Sequence, residues 1–450
     1  MKKLLATILA LVMALGLCSV SWAVDAGKVV VHGIKYNDKD DNEFATFEAA
    51  YAALKPVIES VCDTDVLGQG TAKSVEAFKA VFTDVDSDGN ATITYKISGN
   101  VTYDETSCPN LLTMGRKASH YGNDLHFINF KFAGADENRG ATLTVNSDIT
   151  LPYEWWGENT TTAISFENLT ITGSAPNGLY PYQKFFEGIS FSVNNCTLKG
   201  IKIYNCSNVG GSYSITNSTL DGTGAPGNAY AIHLQGNETA PLTITISGNE
   251  ISGYDRGVNI DQNTAQATVS NNTISVAPGY SCVQISRVGK IEIKNNDLTL
   301  NGSNAFTIHE VALKTGGTPD ISISNNTITG TGYLLYDDVK ANGGSLDSET
   351  DTPKIVIKME NNTIPSTVDT TKGVKAGNVV ANDSQVVSNA VREGITVLQT
   401  PPRYYYHPTT DTKADTTKGS PKTFDAGVGI YAVTAVLSVT GMAWTAKKRH

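Results

Sequence analysis

Charge is scarce in this chain. Only 17% of its 450 residues are Asp, Glu, Lys or Arg, and cations are the rarer sign, 34 against 44 acidic residues. A surface of that sign repels polyanions, which excludes nucleic acid as a partner and disfavours acidic polysaccharides unless calcium or a local basic patch intervenes. Cysteine is scarce as well, six in all. Cys18 sits in an apolar start, leaving Cys62, Cys108, Cys196, Cys206 and Cys282. An odd remainder argues against a complete disulfide framework, and a core of this size does not need one. Cys196 and Cys206 could meet on adjacent turns of the fold. Long apolar runs are missing from the interior of the sequence, and the two exceptions lie at its ends.

The first exception, "MKKLLATILALVMALGLCSVSWA" over residues 1–23, has two lysines, an apolar stretch and the small-x-small site Ser21-Trp22-Ala23. It reads as a secretory signal peptide outside the fold. The second, Gly427 to Ala446, has no charge and is closed by Lys447-Lys448-Arg449. At ~1.5 Å per residue it can cross a ~30 Å hydrocarbon core, so 424–450 is expected to be a transmembrane segment with a basic tail. Just before it, "SPKTFDAG" resembles a Gram-positive cell-wall sorting signal, with Pro421 and Thr423 in place and Ser420 and Phe424 where that family has leucine and glycine. The resemblance implies a sortase cut after Thr423 and attachment to peptidoglycan; uncut, the segment remains a membrane anchor. Either outcome holds the protein at the cell surface. Without both ends, 29 basic residues face 43 acidic ones, about −14.

What the interior has in abundance is one phrase. "ISISNNTITG" at Ile321 returns as "ATVSNNTISV" at Ala267, "IEIKNNDLTL" at Ile291 and "IVIKMENNTI" at Ile355. The apolar residue after the asparagine turn falls at Ile171, Leu198, Leu220, Ile251, Ile274, Leu298, Ile328 and Ile364. A shortest step near 22 residues with longer, insertion-like steps is the signature of a stacked coil. Each copy alternates apolar and polar residues, as a strand with one buried face does. A second strand family runs alongside: "AIHLQ" (231–235), "GVNID" (257–261), "CVQIS" (282–286) and "AFTIH" (305–309). The asparagines suit the sharp turn between strands, because Asn tolerates left-handed backbone. Stacked, Asn271-Asn272, Asn295-Asn296, Asn325-Asn326 and Asn361-Asn362 are predicted to form an amide ladder, with Asn194-Asn195 and Asn217 as earlier steps.

This pattern resembles the right-handed parallel β-helix of pectate-lyase-like proteins and many bacterial surface repeats, from about Thr92 to Ile364. The fold class expected is all-β: a single-stranded parallel β-helix over 91–376. An antiparallel sandwich or propeller is the alternative, against which hairpin dipeptides are rare and the period is short. An open coil exposes strand edges. The amphipathic stretch Glu43 to Val61 and a second helix at 71–82 make residues 24–90 an N-terminal helical cap. Residues 377–400 are expected to be a C-terminal cap and 401–423 a disordered stalk carrying the sorting motif.

Enzymes on this fold usually carry their chemistry on the outward face of one strand stack. Here the second family supplies His233, Asn259, Gln284 and Thr307 as one row and Gln235, Asp261, Ser286, His309 and Asp337 as the next, with Arg256 and Arg287 nearby. The catalytic candidates are Asp261, Arg256, His233 and His309. A lyase needs a base and a cation for the enolate, and a glycoside hydrolase needs two carboxyls. The rows offer amides and hydroxyls instead, as a solvated polar face would. Asp84, Asp86 and Asp88 with Gly89 match the first positions of an EF-hand loop, although Tyr95 occupies the twelfth; calcium is the one cofactor suggested. Trp155, Trp156, Tyr180 and Tyr182 are candidates for stacking on sugar rings or for closing loops over the coil.

Two functions follow. The favoured one is a non-catalytic, surface-anchored, adhesin-like protein binding polysaccharide or host glycan. The alternative is an extracellular polysaccharide lyase or glycoside hydrolase on the same scaffold.

Overall fold

The computed structural model describes residues 27–61, 75–108, 128–149, 163–175, 178–180, 189–206, 210–236, 241–310, 320–337, 355–370 and 379–381. The signal peptide, Trp155, Trp156, Tyr182, the stalk with Pro421 and Thr423, and the segment 424–450 lie outside those residues. The chain divides into a unit over Met1–Gln399 and a second over Thr400–His450. Among the described residues no helix is long and apolar enough to cross a membrane.

Within the first unit, alternation becomes stacking. Each winding of the chain contributes strands to up to three faces, and from Ala91–Ser98 onward the strands pair in parallel with their counterparts one winding on. On face A, Gly211–Thr216 lies against Ile189–Asn194 and Leu242–Ser247, residue for residue. Face B holds the short strands after the asparagine turn. The apolar residues spaced in the sequence are direct partners there: Ile171 with Leu198, Leu198 with Leu220, Leu220 with Ile251, Ile251 with Ile274, Ile274 with Leu298 and Leu298 with Ile328. Face C holds the second strand family, beginning at Ile203–Cys206. All inward residues of these rows are buried in one continuous core. Its face A row changes character along the axis, from stacked rings (Tyr95, Phe132, Phe166) to aliphatic Ile246, Val269, Ile293 and Ile323. Parallel strands have no stable edge of their own, so each winding depends on its neighbours for burial.

The asparagine corners divide their work. The first residue of each pair takes the left-handed conformation, with φ of 56° at Asn271, 57° at Asn295 and 55° at both Asn325 and Asn361. The second builds the ladder inside the coil. Asn326 Oδ1 accepts from Asn296 N and Nδ2 at 2.9 Å each, and Asn362 Oδ1 accepts from Asn326 N and Nδ2 at 3.0 and 2.9 Å. Asn272 and Asn249 repeat the arrangement toward the N-terminus, where Ser218 then takes the position. Asn195 and Asn217 are left-handed corner residues, at φ of 51° each. Asn194 ends a face A strand, and its Oδ1 accepts from Asn217 Nδ2 of the next winding at 3.1 Å, an amide pair outside the buried ladder.

Two expected boundaries differ. Residues 24–90 are not only helical: α1 (Phe47–Val61) and α2 (Val75–Val81) are joined by strands Lys28–His32 and Asn42–Phe44. Lys28–His32 pairs antiparallel with Ala91–Ser98, the first face A strand, and so ends the parallel stack there. Phe47 of α1 packs on Tyr95, Tyr103 and Phe132. At the other end stacking continues past residue 376, because Val379–Ala381 pairs with Ile355–Ile357.

Candidate functional site

Face C is where the sequence placed its candidates, and the first row is in register as expected. His233 lies opposite Asn259, Asn259 opposite Gln284, and Gln284 opposite Thr307. The second row holds from Gln235 through Asp261 to Ser286. There a register shift intervenes: Glu310, not His309, faces Ser286, and Asp337 faces Ile308. The irregularity between Ile285 and Ser286 displaces His309, which simple alternation does not reveal, whereas Asp337 misses the row because Thr307 pairs with Tyr336.

The rows are not the solvated polar face that alternation suggests. Asn259, Gln284 and Thr307 are only 3%, 8% and 2% exposed. Larger side chains at the start of each strand lie over them. Tyr230 and Arg256 are register partners, and the Arg256 guanidinium lies 4.8 and 5.0 Å from the centres of the Tyr230 and Tyr280 rings. Such cation–π contacts gain strength as water is excluded. Arg256 Nη1 donates to Tyr230 Oη at 2.5 Å, the Tyr230 hydroxyl donates to Gln284 Oε1 at 3.4 Å, and the Tyr280 hydroxyl donates to Asn228 Oδ1 at 2.7 Å. Tyr230 thus reaches two windings along the axis, across the winding that carries Asn259. Among the described residues, Asn259 Oδ1, Ser286 Oγ and Arg256 Nε are buried without a hydrogen-bond partner.

Toward the N-terminus the aromatic line continues. His233 stands 5.0 Å from Tyr230 and edge-on to Tyr204 at 5.1 Å, and Tyr204 meets Tyr180 at 5.0 Å. Lys202 Nζ lies 5.6 Å from the Tyr204 ring, and burial lowers its pKa below the usual lysine range while Asp148 opposes that shift. Five successive windings therefore carry this ridge, about 19 Å at ~4.8 Å per winding. Of the sugar-stacking candidates, Tyr180 falls within it. Tyr204, Tyr230 and Tyr280 went unnoticed in the sequence because the copies were aligned on the asparagine corner. Aligned on face C, Tyr230 and Arg256 share one position and Tyr280 immediately precedes the next.

The remaining candidates are occupied otherwise. Asp261 forms a largely buried pair with Arg287 at 3.2 Å, their side chains 15% and 9% exposed. Asp255 accepts a hydrogen bond from the Asn228 backbone N–H. The side-chain environment of His309 is not among those described. Asp86 spends its carboxylate on a turn, accepting from Asp88 N at 2.9 Å and from Asn90 N and Nδ2 at 2.8 and 3.1 Å. Among the described residues no three His, Cys, Asp or Glu side chains converge as metal ligands, so Asp84, Asp86 and Asp88 form no cage. Cys196 is buried as a free thiol and is not joined to Cys206.

Residues 167–364, under half of the chain, match the family model described as NosD: periplasmic copper-binding protein (NosD). That family is one of right-handed parallel β-helices outside the cytoplasm, in agreement with the stacked windings and with export. No curated protein and no solved structure matches the chain. Copper requires converging thiolate, imidazole or thioether donors. Here Cys108, Cys196 and Cys282 are buried within the core, where burial pushes their thiols up to about 11, about 12 and about 12. Among the described residues no group of three His, Cys, Asp or Glu side chains gathers around them. These residues do not make a copper site.

Proposed function

We propose that the protein is an exported β-helix, held at the cell surface through its C-terminal segment, that binds glycan along face C without turning it over. The observation that carries this reading is the ridge Tyr180–Tyr204–His233–Tyr230–Arg256–Tyr280. Flat rings suit the C–H faces of sugars. The ridge is the length of a short oligosaccharide and repeats along its axis as a glycan does. Against turnover, Asp261 has Gln235 and Ser286 as its register neighbours and is engaged by Arg287, so the two-carboxyl arrangement of a hydrolase has no second member at that position.

The test is retention on immobilised pectin, alginate, mucin and host glycans, with release of reducing ends or unsaturated products measured in the same samples. Tyr204→Ala should weaken retention at least tenfold while the fold, followed by circular dichroism, persists. Product release abolished by Asp261→Ala would overturn the reading in favour of an enzyme.

A further inference from the structure

Face A carries charges in an order that is its own complement. One outward column of register partners runs along the axis from Lys96 through Glu167 and Lys294 to Glu360, and every member between them is uncharged. Lys96 belongs to the first of ten windings, Glu167 to the third, Lys294 to the eighth and Glu360 to the tenth. Counted from the far end, Glu360 stands first and Lys294 third, so reversal exchanges each charge for its opposite. In the middle, Ile189–Asn194, Gly211–Thr216, Leu242–Ser247 and residues 266–270 turn only Ser, Thr, Asn and Gln outward, with Ser212, Thr243, Thr245 and Gln266 exposed. Such a patch, in a protein acidic elsewhere, has small side chains and no isolated charge to desolvate.

We propose that face A binds a second copy of this chain, face to face, with the two stacks antiparallel. A two-fold axis lying along the strands keeps each column opposite itself and reverses the winding order, as a self-complementary interface requires. Lys96 then opposes Glu360 of the second copy and Glu167 opposes its Lys294, and each contact occurs twice. In the two other columns every charge meets an uncharged side chain: Lys131 meets Ser322 and Glu292 meets Ser165, for example. Parallel stacks fail on the same columns, because Lys131, Glu292 and Lys358 would each face their own copies and Lys290 would face Lys294. A slip of one winding loses both pairs. Within one copy Glu167 pairs with Lys131 at 2.6 Å, Lys294 with Glu292 at 2.8 Å and Lys96 with Asp41 at 3.6 Å, all partly exposed. Surface pairs of this kind are weak, so exchanging them costs little. Ten windings at ~4.8 Å, with strands of about five residues at ~3.3 Å, make a face on the order of 700 Å², close to the ~800 Å² per partner of a stable interface. The tyrosine ridge of face C takes no part, so this contact stands apart from glycan binding.

The test is sedimentation of the full chain in mild detergent, with no glycan present. Wild-type protein should be dimeric at micromolar concentration. Glu167→Lys and Lys294→Glu should each weaken self-association at least tenfold, because each sets like charges opposite one another twice. An equimolar mixture of the two variants should recover wild-type affinity, since every pair between unlike copies is then attractive. Association through the apolar C-terminal segment would ignore both variants. In wild-type protein, zero-length carbodiimide coupling should also join Glu167 to Lys294. Within one copy those residues lie five windings apart, ~24 Å, so that product can arise only between copies. A monomeric wild-type chain, a dimer indifferent to both variants, or a mixture no tighter than its components would overturn the proposal and leave glycan binding standing. Should a variant misfold, the wild-type coupling decides: a dimer that yields no Glu167–Lys294 product is not this one.

Discussion

Asn325 and Asn326 are adjacent and chemically identical, yet their loss should differ severalfold in consequence. Asn326 is fully buried. Replacing it with alanine removes the acceptor for Asn296 N and for one Asn296 Nδ2 proton, and it removes the donor to the Ile293 carbonyl at 3.0 Å. Three buried polar groups then lack a partner, at ~1–3 kcal/mol each, so the expected loss is about 3–9 kcal/mol, the low end applying if water enters the gap. Asn325 contributes chiefly its tolerance of φ 55°. Asn325→Ala should cost about 1 kcal/mol, and Asn325→Gly close to nothing. Because windings unfold as coupled neighbours, the measurement is a urea titration combined with hydrogen exchange of the peptides covering 291–298 and 320–328. Asn326→Ala should lower the midpoint and raise exchange in both peptides. Equal effects of Asn325→Ala and Asn326→Ala would refute the division of labour at the corner.

Further expectations concern charge, pH and the acidic turn. Asp261→Asn leaves the mostly buried Arg287 without its carboxylate and should destabilise by about 2–4 kcal/mol, seen as a lower melting temperature, whereas a catalytic role alone would leave the melting temperature unchanged. Burial raises the thiols of Cys108, Cys196 and Cys282 to about 11, about 12 and about 12 from an ordinary 9.0. Groups raised in the folded state stabilise fully below their unfolded pKa. Stability should therefore hold to about pH 9 and then fall as pH climbs toward 12, reinforced by the buried phenols of Tyr95 and Tyr213, which burial also raises. At pH 8 the Cys196 and Cys282 peptides should resist iodoacetamide until urea is added; rapid native labelling, read by mass spectrometry, would contradict their placement in the core. Asp86→Ala should cost about 1 kcal/mol through loss of its turn bonds, by the same amount with or without calcium. A larger loss only when calcium is present would restore the EF-hand reading.

The stack and its register were legible because a period of two and a repeated corner leave little freedom. Once Ile321 and Ile323 must face inward, their partners one winding away are fixed by the same alternation. The site was only half legible. The row His233–Asn259–Gln284–Thr307 follows from spacing, but His309 was misplaced because the bulge after Ile285 carries no sequence mark. The helical reading of 24–90 missed its strands because Lys28–His32 earns its place by pairing with Ala91–Ser98, far away in the chain.

By itself the sequence determined that apolar rows must be buried by stacking and that asparagine must turn the corners, because both are local consequences of side-chain period and backbone sterics. Only the tertiary structure decided that Tyr230, Arg256 and Tyr280 close over buried amides, and that Asp261 belongs to Arg287. Those meetings join residues from different windings, and insertions of uneven length between copies hide from the linear chain which side chains come to lie side by side.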